Sequence, residues 1–247
     1  MKTKIHQKLH LHQLGILFLL LFLLPLMANA TDYYWTGGGS TRNWNDLDNW
    51  SLSSGGNVAP GQIPTALDDV YFHAGSFSTS NDTVDINVNN AVCHSMDWTG
   101  ALNSPILIGP SISNLKIFGS LTLIPNMNYA YYGTINFESA ASNNFIKSCG
   151  KIFLNKTTFD GVGSWTLLDA FSSTSSLNMN FGCLNTNNQS VTAASFCSTS
   201  PTIRSLILGS SVMIITGGGV TAFAVNYTNF VTVRLVLNFQ MLITTDG

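Results

Sequence analysis

The chain has 247 residues, with 10 Lys and Arg against 12 Asp and Glu, and only 9% of its side chains are charged while 45% are hydrophobic. That length allows one large all-β domain or two small ones. So little charge leaves no basic patch for nucleic acid and argues against charge-driven disorder.

Met1 to Ala30 reads as a secretory signal. Lys2, Lys4 and Lys8 give a positive start, Leu14 to Met27 is almost unbroken apolar sequence, and Ala28-Asn29-Ala30 is an A-x-A cleavage site. The apolar run falls short of the ~20 residues a membrane span requires. Cleavage after Ala30 removes His6, His10 and His12 and leaves a chain that starts at Thr31. It carries seven basic residues against 12 acidic ones, a formal net charge of −5. No second long apolar run and no lipid-attachment motif follows, so the expected location is secreted or at the cell surface, with no membrane span.

Residues 31–98 are rich in Trp, Asp, Gly and Pro. They hold Asp32, Asp46, Asp48, Asp68, Asp69, Asp82, Asp85 and Asp97, whereas 99–247 hold only Glu138, Asp160, Asp169 and Asp246. Short alternating runs read as strands: Asp85 to Val88, Leu115 to Ile117, Leu121 to Leu123, and a long stripe on Val231, Val233, Leu235, Leu237, Phe239, Met241 and Ile243. No amphipathic helix is visible after residue 30. A glycine between apolar runs recurs at Gly119, Gly150, Gly182 and Gly209, separated by 31, 32 and 27 positions. With strands between them, this predicts one strand about every 15–16 residues and a coil that turns at glycine. The expected fold is all-β: a parallel β-solenoid (β-helix) with an aromatic-rich N-terminal cap over 31–98 and coils over 99–247. The alternative is an antiparallel β-sandwich, whose turns recur about every 8–12 residues.

The opening Tyr33-Tyr34-Trp35-Thr36-Gly37-Gly38-Gly39, with Asn43-Trp44, Asp48-Asn49-Trp50-Ser51 and Ile63-Pro64-Thr65-Ala66-Leu67-Asp68-Asp69-Val70-Tyr71-Phe72, resembles the start of large secreted bacterial β-helix proteins. Such openings occur in autotransporter-like passengers and in Bacteroidetes surface proteins associated with gliding motility. Cys93 to Gly100 is similar to the next element of the Bacteroidetes version. The resemblance implies a parallel β-helix behind the motif and a noncatalytic, stalk-like or adhesin-like role outside the cell. The sequence ends at Gly247 without the sorting, adhesion or barrel segment such proteins usually carry, so a fragment or a short member is expected.

A solenoid's first coil exposes an apolar end and unpaired edges, and a cap must cover both. Trp35, Trp44 and Trp50 supply the area for that cover. The alternative is that they form an aromatic platform for sugar rings. Expected partners are extracellular glycans or surface proteins.

Cys93, Cys149, Cys183 and Cys197 permit two disulfides in an oxidising compartment. Cys183 with Cys197 is the first pairing to expect, being nearest in sequence; four free buried thiols are the alternative. Only His73 and His94 remain after signal removal and no C-x-x-C occurs, so no metal site is expected. No G-x-S-x-G elbow is present, and no helix follows Gly217-Gly218-Gly219 to complete a phosphate loop, so no cofactor is expected. Asp68, Asp69, Asp82 and Asp85 cluster as calcium ligands can, but adjacent Asp68 and Asp69 point to opposite strand faces and do not easily share one ion, so aspartates at strand entrances are the expected reading. A carbohydrate-active enzyme needs two convergent carboxylates, and Glu138 with Asp160 is the pair the local patterns suggest. The blander reading is two solvated turn residues.

Overall fold

The computed structural model describes residues 30–218, 222–225 and 230–233. The expected signal up to Asn29 and most of the stripe beyond Val233 lie outside them. The described chain is all-β. Its helical content is one 3₁₀ turn, Leu47–Asn49, capped by the Asp46 carboxylate, which accepts from the Asp48 N–H.

Two strands open the chain: β1 (Asp32–Trp35) and β2 (Trp50–Ser51) pair antiparallel, with Trp35 opposite Trp50. Seven three-strand coils follow. Coil 1 is β3 (Asp69–Tyr71), β4 (Thr83–Asp85) and β5 (Ala91–Cys93). Coil 2 is β6 (Met96–Asp97), β7 (Ile106–Gly109) and β8 (Asn114–Ile117), and coil 3 is β9 (Leu121–Thr122), β10 (Asn128–Tyr131) and β11 (Thr134–Phe137). Coil 4 is β12 (Asn144–Lys147), β13 (Ile152–Phe153) and β14 (Thr157–Phe159), and coil 5 is β15 (Ser164–Leu167), β16 (Phe171–Ser173) and β17 (Ser176–Met179). Coil 6 is β18 (Gly182–Asn185), β19 (Val191–Ala193) and β20 (Ser195–Ser198), and coil 7 is β21 (Arg204–Ile207), β22 (Met213–Ile215) and β23 (Phe223–Val225). β24 (Phe230–Val233) then pairs with β21.

Strands of successive coils pair in parallel with their counterparts, except β10 with β13, which gives three faces. The first is a ten-stranded sheet running β2-β1-β3-β6-β9-β12-β15-β18-β21-β24. The second is made by β4, β7 and β10 and then by β13, β16, β19 and β22, and the third is the seven-stranded sheet from β5 to β23. A parallel β-solenoid with an aromatic N-terminal cluster is therefore the fold, and the sandwich alternative falls: the one antiparallel pair among the described strands is β1 with β2.

Alternation builds the core. On the first sheet Val70, Met96, Leu121, Ile146 and Leu167 point inward, while the residues between them point out. Aromatic rings stack between coils: Phe137 on Phe159 at 5.2 Å, and Phe153 on Phe171 at 4.8 Å. At the capped end Phe72 lies against Trp98 at 3.7 Å, nearly parallel. Burial of these faces is the main favourable term in holding coil to coil.

Strand density differs from the sequence expectation. Registers such as Thr166 to Asn185 and Phe196 to Phe223 set the coil at 19 to 27 residues, with three strands in each. The recurring glycines mark two different corners, so their spacing is not the coil period. Gly119 lies between the third and first faces and Gly182 opens β18 at the same corner, while Gly150 and Gly209 lie between the first and second. The latter corner needs left-handed backbone: Cys149 and Gly150 in coil 4, Asn187 and Asn188 in coil 6, and Gly209 in coil 7 all have positive φ. Side chains satisfy its turns. Asp169 accepts from the Ser148 N–H at 2.8 Å, the Ser148 hydroxyl at 2.9 Å and the Cys149 N–H at 2.6 Å, which ties coil 5 to coil 4.

Candidate functional site

The three tryptophans expected as cap or platform are all interior: Trp35 and Trp44 are 0% exposed and Trp50 is 1%. Trp50 stands edge-on to Trp35 at 5.0 Å and to Trp44 at 4.8 Å, and its indole N–H donates to the Trp44 carbonyl at 2.8 Å. Protein covers both faces of each ring, so they offer no surface to a sugar. The reason is strand alternation: Tyr33 and Trp35 take the inward positions of β1, and Tyr34 takes the outward one.

That alternation puts a different aromatic pair outside. Tyr34 and Tyr71 are register partners on the outer surface of the first sheet. Their rings stack at 5.3 Å with 23° between planes, and the His73 ring meets Tyr34 edge-on at 6.0 Å. Carboxylates border the pair. Asp32 lies opposite Asp69, and Asp97 follows Tyr71 in the same column. Burial, then the charges of Asp69 and Asp32, the neighbouring Tyr34 and Asp97, push the Tyr71 phenol up to about 12. Sequence reading selected the tryptophans here and passed over the tyrosines. The signal that separates them is the in-out order Tyr33, Tyr34, Trp35 and Val70, Tyr71, Phe72.

His94 sits one coil along, its Nδ1 2.7 Å from an Asp69 oxygen. The Ser95 hydroxyl meets the same Nδ1 at 3.3 Å and accepts from the Ser120 N–H at 3.3 Å. A proton relay needs acid and nucleophile on opposite ring nitrogens, so this trio is not a hydrolase triad. The other clustered aspartates separate. Asp68 is buried and accepts from the Thr65 N–H at 2.8 Å and hydroxyl at 2.6 Å, Asp82 pairs with Arg42 at 2.7 Å, and burial raises the Asp85 carboxyl.

Glu138 and Asp160 do occupy equivalent turns of neighbouring coils. Phe137 is in register with Phe159, and each acid is the next residue, at the corner between the third and first faces. Coil spacing is ~4.8 Å at this point. Each acid already has a partner: Glu138 pairs with Lys116 at 2.9 Å, and Asp160 accepts from the Asn180 amide at 3.1 Å.

The four cysteines are unpaired. Cys183 lies on β18 of the first sheet and Cys197 on β20 of the third, so the expected pair is split between faces. Cys93 points into the core, and burial pushes its thiol well up. The Cys149 thiol donates to the Leu123 carbonyl at 3.1 Å.

Comparison with family models, with curated proteins and with solved structures gave no match.

Proposed function

We propose that this chain is an exported, noncatalytic β-solenoid that serves as a stalk or adhesive surface outside a bacterial cell. The observation that carries the reading is the register: the first and third faces run through all seven coils and hold their outward side chains in straight columns. Such a rod provides reach and a long ordered surface, and its length grows by adding coils of ~4.8 Å each. The signal-like start and the resemblance of the opening motif to Bacteroidetes surface proteins support export. Protease treatment of intact producing cells tests it. Loss of the protein while a cytoplasmic marker survives is the expected result; full protection in intact cells with digestion after lysis would contradict it.

The stacking of Glu138 on Asp160 favours a second reading, a carbohydrate-active β-helix. Purified protein on a polysaccharide panel decides between them. The structural reading expects no cleavage; cleavage that vanishes in Glu138→Gln would promote the enzyme.

A further inference from the structure

The outer surface of the first sheet near the cap carries groups that the stalk reading does not use. Three successive strands, β1, β3 and β6, set Asp32, Tyr34, Asp69, Tyr71 and Asp97 side by side on one face. Tyr34 covers one face of the Tyr71 ring. The next position in the column beyond Tyr71 is Asp97, a shorter side chain whose carboxylate accepts from the Thr99 N–H at 2.7 Å. Positive charge is scarce here. Arg42 is taken by Asp82 and by the carbonyls of Gly37 and Gly39, and His94 is held by Asp69. The same column reaches Lys147 only two coils past Asp97, ~10 Å away.

We propose that this Tyr34–Tyr71 face docks a cationic polypeptide segment through its lysine or arginine side chains. The choice follows from charge complementarity. A tyrosine face attracts an ammonium or guanidinium group, and the alkyl stem of that side chain packs on the ring. Asp97 beside the ring and Asp32 in the adjoining column then pair with the charge, which a neutral sugar would leave unused. The proposal rests on the adhesive reading and names its partner.

The test is binding of a labelled lysine oligomer to the purified chain from Thr31. The expected result is saturable binding that weakens as salt is raised. Tyr71→Leu, which keeps bulk and removes the aromatic face, weakens it about threefold, and Tyr71→Phe restores it. Asp97→Asn weakens binding, whereas Asp160→Asn, on another corner, leaves it unchanged. Circular dichroism of each variant verifies the fold; if Tyr71→Leu unfolds, Tyr71→Phe and Asp97→Asn still decide. Three results would overturn the proposal: no saturable binding, equal loss in Asp97→Asn and Asp160→Asn, or Tyr71-dependent binding of a neutral polysaccharide that survives Asp97→Asn. A surface-exposed protein that fails to bind the oligomer sinks this proposal alone, while binding by a protein confined to the cytoplasm sinks the stalk reading alone.

Discussion

Trp50 closes the first end of the core with its ring wedged between Trp35 and Trp44. Truncation there leaves a large cavity and an unpaired Trp44 carbonyl. Trp50→Ala is expected to lose ~3–5 kcal/mol in chemical denaturation. His73 makes a different prediction. Its Nδ1 and Nε2 face the N–H groups of Gly75 at 3.1 Å and Gly55 at 3.3 Å, and burial lowers its pKa. A neutral imidazole can accept at one nitrogen and a protonated one at neither. The unfolded chain therefore binds the proton more readily, and stability rises with pH through this window. The contribution is complete above the ordinary histidine value of 6.5 and is lost as pH falls through the lowered folded value. Melting curves across that range are expected to drop more steeply on acidification for the wild type than for His73→Gln.

Among the elements, the corners differ more than the strands. A Cβ at Gly182 would lie 2.4 Å from the carbonyl oxygens of both Gly161 and Gly163 in the coil before it, and its φ is +68°. Gly150 has φ +75° but open space around it. Gly150→Ala is expected to cost only the left-handed penalty, ~1–2 kcal/mol, and Gly182→Ala distinctly more, because two fixed backbones block it. Paired thermal melts check the order.

The same corners explain what the sequence could disclose. Alternation was legible wherever three or four residues ran together, as in Leu115 to Ile117, and it predicted strands; the stacked solenoid came from the recurring glycines and the wide strand spacing. The coil was harder to read. Strands as short as Leu121–Thr122 carry no period of their own, and coil length drifts between 19 and 27 residues. Left-handed positions filled by Asn187, Asn188 and Cys149 hide corners that glycine alone cannot reveal. The outer face was missed for a related reason. Trp35 and Trp50 dominate the motif by size, but the strand alternation turns them inward and turns Tyr34 and Tyr71 to the surface. Glu138 and Asp160 were placed well because each follows a Phe in register; their partners Lys116 and Asn180 come from neighbouring coils and left no local trace.

For the whole molecule, the solenoid explains how so few charges suffice. Each coil hydrogen-bonds to the next along its backbone, so order along the stack needs no ion-pair network; pairs such as Arg42 with Asp82 and Lys116 with Glu138 add to it. The stalk reading depends on the protein leaving the cell, and its most direct test is N-terminal sequencing of protein recovered from the outside of producing cells. The account predicts a chain that begins at Thr31, after the Ala28-Asn29-Ala30 site. Protein found only in the cytoplasm, still beginning at Met1, would contradict it.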